Sequence, residues 1–150
     1  MDIQESLSLV RKKISDLSVE NLSLKNSKEE LIKENEKAID EIFCEFLSVL
    51  DTFDKAEEAI KERGWDADEN AQRSIKRLLN AKKKAEIVLE RYDVKPIVFE
   101  DNKMVAEWCI TNDTIPDSSK ENDEIVSIEK IGYKRKGHVI RPAEVIIVKN

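Results

Sequence analysis

From Ile3 to Ile42 the chain keeps a strict seven-residue frame, with Ile3, Leu7, Val10, Ile14, Leu17, Asn21, Leu24, Lys28, Leu31, Asn35, Ala38 and Ile42 alternating between two seam positions. This is the pattern of a coiled-coil seam on one helix. No Gly or Pro precedes Gly64. The helix is therefore predicted to continue through Ile39, Phe43, Phe46, Leu47, Leu50, Phe53 and Ile60, for about 60 residues and roughly 90 Å at 1.5 Å per residue. A compact globule of this chain length is only roughly 40 Å across. The first half of such a helix lacks enough of its own chain to pack on, so a second copy is the expected partner; the other reading is a single exposed or partly disordered helix. Asn21 and Asn35 favour pairing, because a seam asparagine lowers stability but fixes register and favours a parallel two-stranded assembly.

After Ala38 the apolar stripe widens to Ile39, Ile42, Phe43, Phe46, Leu47, Leu50 and Phe53, the face of a bundle helix rather than a two-stranded seam. Gly64 and the polar run Asp66 to Asn70 predict a turn. Ala71, Ile75, Leu78, Leu79, Ala85, Val88, Leu89 and Tyr92 then predict a second helix of about 22 residues. Two such hairpins in a dimer make a four-helix bundle. Past Tyr92 the period changes. Val94, Pro96 and Ile97, then Met104 to Ile110, Ile125 to Ile131 and Val145 to Val148 read as short strands, with Lys136-Gly137-His138 as a turn. Thr111 to Asp123, with its Asn, Asp, Ser and Pro116, reads as a loop. The expected fold class is α+β: a long N-terminal coiled-coil helix, a helical pair forming a four-helix bundle in the dimer, and a small C-terminal all-β domain. The boundary is placed at Asp93, with residues 1–93 for dimerisation and 94–150 for the β unit. The dimer contacts are expected from Leu7, Val10, Ile14, Leu17, Asn21, Leu24, Leu31, Asn35, Ile42, Phe46, Leu50 and Phe53.

Composition supports a helix-heavy chain with much surface: 39% of the 150 residues are charged and 5% aromatic. With 26 basic against 32 acidic side chains the net charge is −6, which disfavours broad binding to nucleic acid or to anionic membranes. No apolar run is long enough for a membrane span. The opening Met1-Asp2-Ile3-Gln4-Glu5 lacks the basic and apolar regions of a secretory signal, so a cytoplasmic protein is expected. Cys44 and Cys109 form no CxxC and have no histidine nearby, which leaves zinc and redox chemistry without the spacing they need; both read as small buried hydrophobes. His138 is the single histidine, so neither a triad nor a two-histidine metal site can be assembled. Gly64, Gly132 and Gly137 are too scattered for a phosphate-binding loop. Pairs such as Glu29-Glu30 and Glu57-Glu58 sit in solvated helical patterns. Neither an enzyme nor a cofactor is expected. Lys82-Lys83-Lys84 reads either as an anion contact or as a solvated face.

The stretch Gly132-Tyr133-Lys134-Arg135-Lys136-Gly137-His138-Val139-Ile140-Arg141-Pro142-Ala143-Glu144-Val145-Ile146-Ile147 resembles the C-terminal signature of the GrpE family, the nucleotide exchange factors of DnaK-type chaperones. The shared pattern is Gly-aromatic, a second Gly five residues after the first, then aliphatic-Arg-x-Ala-x-Val-x-aliphatic. Phe46 to Ala56 is similar to the family's Leu-Leu-Pro-Val-Leu-Asp-Asn-Leu-Glu-Arg-Ala stretch, and Tyr92-Asp93-Val94-Lys95-Pro96-Ile97 to its Phe-Gly-Val-x-Pro-Ile junction. The resemblance covers about residues 38 to 150. This chain departs from the pattern in four places, one of them the family's basic run late in the long helix, thinned here to Lys25, Lys28, Lys33 and Lys37. Phe99 to Ala106 lacks the usual Asp-Pro turn, Ser48 stands for a proline, and Asp93 stands for the junction glycine.

The resemblance implies a parallel homodimer in which one β unit inserts against the ATPase domain of a DnaK-type chaperone and opens its nucleotide cleft, so that ADP leaves. By motif position it implies chaperone contacts at Gly132, Tyr133, Lys134, Gly137, His138, Arg141 and Val145. The plainer reading gives Gly132 and Gly137 to turns and Val145 and Ile147 to the core. Arg141 is expected to be an exposed strand arginine that matters to the partner and little to stability. Asp93 is expected to take a left-handed conformation at the exit of the second helix. The competing function, from another class, is a coiled-coil scaffold whose β unit docks some other protein.

Overall fold

Helix α1 spans Ile3–Arg63 and carries no Gly or Pro, as the periodicity predicts. The structure is a computed structural model that describes residues 2–150. Backbone contacts divide the chain into Met1–Ile39 and Asp40–Asn150. In the first unit the seam residues Leu7, Val10, Ile14, Leu17, Leu24 and Leu31 all lie exposed, each at half or more of its full surface. Ile42 and Phe46, at the start of the second unit, are exposed as well.

In the second unit α1 turns one face inward. Leu47 and Leu50 are buried against Leu89, Val94 and Tyr133, with Phe43, Ala85 and Ile140 packed around them. Gly64, at φ 62°, takes the left-handed conformation that breaks the helix, and a single 3₁₀ turn, Trp65–Ala67, leads on. Helix α2, Glu69–Arg91, starts at Asp68, whose carboxylate accepts the N–H of Ala71 at 3.0 Å. Lys82 ties the two helices together, its Nζ lying 2.6 Å from Asp54 Oδ1 and 2.9 Å from Glu57 Oε2. Burial alone would lower the affinity of this amine for its proton. The hydrogen bonds and charges of Asp54 and Glu57 outweigh that and raise its pKa well above the ordinary lysine value. Of the lysine run, Lys82 is thus part of the helix pairing, while Lys83 and Lys84 are exposed.

Six strands follow in two three-stranded sheets. In the first, β1 (Val94–Pro96), β4 (Tyr133–Arg135) and β5 (His138–Arg141) run antiparallel in the order β1-β4-β5. In the second, β2 (Cys109–Ile115), β6 (Ala143–Val148) and β3 (Ile125–Lys130) lie in the order β2-β6-β3, with β2 parallel and β3 antiparallel to β6. Cys109, Ile125, Ala143, Val145 and Ile147 form a second buried cluster, on which Phe99 and Met104 pack.

Two expected elements are displaced. The strand expected over Met104 to Ile110 begins only at Cys109, and it continues to Ile115 through residues expected to be a loop. Strand β2 is an edge: it pairs on one side only, six of its seven side chains are exposed, and a bulge falls between Thr111 and Asp113. Polar residues are tolerated there because they face water. Ala106 to Trp108 form a turn instead, closed by the backbone N–H of Trp108 donating to Val105 O, so the chain turns where the strand was expected.

Asp93 has φ 58°, the left-handed value expected after α2, and its N–H donates to Glu90 O. Its carboxylate meets Lys95 Nζ at 2.8 Å, both groups largely in water. The hydrogen bond and charge of Lys95 lower its pKa, but an exposed pair adds little. Conformation therefore dominates. Asp93→Gly is expected to raise the Tm by a few degrees and Asp93→Val to lower it by more, which thermal unfolding by circular dichroism checks.

Candidate functional site

Strands β4 and β5 are joined by the two-residue turn Lys136-Gly137, at φ 49° and 85°. Both values are positive, as a type I′ hairpin turn requires, and the glycine meets that demand without strain. Gly132, just before β4, answers a different need. A Cβ there would collide with Ala143 N and approach Ile97 Cδ1 to 2.8 Å, so only glycine lets the two sheets come this close.

One stripe of α1 holds this hairpin. Asp40, Cys44, Leu47 and Asp51 recur at four, three and four residues, the spacing that aligns side chains on a single helical face. Arg135, only 3% exposed, donates from Nε to Asp40 Oδ1 at 2.5 Å. His138 Nε2 lies 2.8 Å from Asp40 Oδ2. Burial would push the Asp40 carboxyl up; the hydrogen bonds from His138 and Arg135, with their charges, prevail and hold it below the usual carboxylate range. Cys44 Sγ donates to Ile140 O at 3.1 Å. At the far end, Arg141 makes a two-pronged pair with Asp51, Nη1 to Oδ2 and Nη2 to Oδ1, both at 2.8 Å. Its Nη2 also donates to Ile131 O at 2.8 Å, and its guanidinium lies 5.3 Å from the centre of the Tyr133 ring.

The residues singled out by motif position therefore separate. Gly137 and His138 stand exposed at the hairpin tip, and Lys134 lies half-buried with Nζ 3.2 Å from the centre of the Trp108 ring. Tyr133 and Val145 are in the core, Val145 fully buried. Burial also raises the Tyr133 phenol pKa. Arg141 corrects the expectation of an exposed strand arginine. Its side chain keeps only 12% of its surface, and the guanidinium is committed to Asp51 and Ile131. On the α1 side, Leu50 is covered by Leu89, Val94 and Tyr133 of its own chain, whereas Phe53 is half-buried. Asp40, Asp51 and Arg135 were not anticipated. The available signal was an aspartate at each end of an inward-facing helical stripe, opposite arginines in the Tyr133 to Arg141 segment.

Both cysteines are free thiols, Cys109 buried and Cys44 partly so, and burial raises both pKa values. Such thiols are poor nucleophiles. No described helix is long and apolar enough to cross a membrane.

A long helix with an exposed heptad seam, a paired second helix and a small β unit pinned to the first helix define a helical protein that presents a β hairpin. The GrpE family model matches residues 3–149, nearly the whole chain. The chain belongs to the GrpE family, whose members are co-chaperones rather than enzymes and serve DnaK-type chaperones as nucleotide exchange factors. Comparison with curated protein sequences gives no match.

Proposed function

We propose that the protein acts as a parallel homodimer on the ATPase domain of a DnaK-type chaperone and promotes the release of ADP. Family membership over residues 3–149 carries this reading. The exposed seam from Leu7 to Leu31, continued by Ile42 and Phe46, supports pairing, since apolar positions at heptad spacing would be buried by a second copy. In this scheme residues 1–93 pair the chains, with a four-helix bundle formed from two α1–α2 hairpins, and residues 94–150 meet the chaperone in the cytoplasm. Lys134, Gly137 and His138 make the contact, while Arg141, Tyr133 and Val145 set its shape from within.

No bond is made or broken in such a reaction. The dimer binds the open, nucleotide-poor state of the chaperone more tightly than the closed one, and by linkage the complex binds nucleotide more weakly by the same factor. A tenfold effect requires about 1.4 kcal/mol of differential contact. The α1 stripe contributes by holding the hairpin in one orientation before the partner arrives, so little ordering remains to oppose binding. The test combines two measurements. Sedimentation equilibrium at micromolar concentration is expected to give twice 17.3 kDa. Stopped-flow release of a fluorescent ADP analogue from the chaperone is expected to accelerate on adding the protein. A dimer that leaves release unchanged would instead fit the coiled-coil scaffold.

A further inference from the structure

Strand β3 has an open edge. The sheet order β2-β6-β3 leaves no strand beyond it among the described residues. At its start the backbone is engaged by Asn102 to Met104, through the N–H of Ile125 to Asn102 O and the Lys103 to Glu124 bridge. Just past its end, Ile131 O accepts from Arg141. Between these two closures the edge from Val126 to Lys130 stands uncovered, and Val126 and Ile128 are exposed.

A groove of about 380 Å³ lies between the later part of this strand and the turns of α1 from Asp51 to Glu58. Ile128 and Ile131 supply its exposed apolar surface. The remainder is predominantly acidic. Asp51, Asp54 and Glu144 already have cations in Arg141, Lys82 and Lys130. Glu58 on the helix and Glu129 on the strand have no ion-pair partner among the described residues, although Glu129 accepts the Ser127 hydroxyl at 2.8 Å. Lys55 is the one lining cation besides Lys130. Five lining carboxylates thus face two lining ammonium groups, and two of the carboxylates remain unneutralised.

We propose that this groove takes an extended, basic segment of a partner protein, which adds to the β3 edge as a further strand. Backbone pairing to Val126 to Lys130 supplies the affinity, because an open edge offers unpaired N–H and C=O groups, here interrupted by the irregularity between Ile128 and Lys130 that the added strand must follow. Alternation along the added strand supplies the selectivity. Every second side chain is apolar and rests on Ile128 and Ile131, and those between carry Lys or Arg toward Glu58 and Glu129. The groove lies on a different part of the β unit from the hairpin tip, so the proposal is independent of nucleotide exchange.

The experiment titrates full-length protein against a fluorescent, capped peptide alternating Lys and Val, followed by anisotropy. Saturable binding that weakens with salt is expected. The Glu58→Lys, Glu129→Lys double variant is expected to bind at least tenfold more weakly with an unchanged thermal melt, since both side chains are exposed. A peptide of the same sequence with alternate backbone nitrogens methylated should lose binding to a similar degree. Absence of saturable binding, equal affinity in the charge-reversed variant, or equal affinity for the methylated peptide would each overturn the proposal. So would dissociation of the dimer by Ile128→Asp, which would show that a second copy occupies the groove.

Discussion

Arg141→Glu is expected to destabilise the protein by about 4 kcal/mol and to lower its Tm by more than about 10 °C. The substitution removes a two-pronged ion pair with Asp51, strips Ile131 O of its guanidinium donor and sets a second carboxylate beside the first. A like charge there would have to be protonated or driven into solvent, and either would pull β5 away from α1. A double-mutant cycle separates the pair from its surroundings. Arg141→Gln and Asp51→Asn should each cost about 2–3 kcal/mol, and the double variant should cost about 2 kcal/mol less than their sum. Additive effects would mean that the two groups act independently. A melt unchanged by Arg141→Glu would restore the exposed-arginine expectation drawn from the sequence.

At the other end of the stripe, Asp40→Asn is expected to cost about 3 kcal/mol at neutral pH. It leaves the buried Arg135 guanidinium facing a neutral amide, at the low end of the range for a severed buried pair because the amide oxygen still accepts a hydrogen bond. The effect should depend on pH with a definite sign. The folded-state pKa of Asp40 is depressed below its unfolded value, so its contribution is fully present above the unfolded value near 4 and is lost as pH falls through the folded one. Denaturant unfolding of wild type and variant from pH 7 down to pH 2 should show two stability curves well apart above about pH 4 and converging below it. Curves that stay parallel throughout would mean that the Asp40 charge is not what holds Arg135.

The helices were legible in the sequence because their signals are local. Heptad spacing, the absence of Gly and Pro before Gly64, and the polar run after it are enough to give α1 and α2. The Lys136-Gly137 turn was equally local. The β unit was harder to read, because the polarity of Asn112 and Asp113 means loop in a free segment and edge strand beside β6, and only the pairing decides between them. Arg141 failed for a related reason. Its place in a recognisable signature marks it as constrained, but whether the constraint comes from a partner or from Asp51, ninety residues earlier, depends on which helical face turns toward the strand. Gly132 could be marked as a glycine of consequence but not explained, since its reason is the position of Ala143.

The strand order β2-β6-β3 bears on how the chain reaches its fold. Strand β6 follows the other strands in sequence and is the middle one in its sheet, so β2 has no strand beside it, and β3 nothing beyond the contact of its first residues with Asn102 to Met104, until residues 143–148 arrive between them. Helix α2 closes its hydrogen bonds within its own 23 residues on the microsecond scale. The parallel pairing of Cys109 with Ala143 must first close a loop holding β3, β4 and β5, an entropic delay that local structure never meets. During that interval both outer strands, with Ile110, Ile115, Val126 and Ile128 exposed on them even in the finished fold, are open to pairing with another unfinished chain. The insertion of β6 is therefore expected to be the slow and aggregation-prone step in folding.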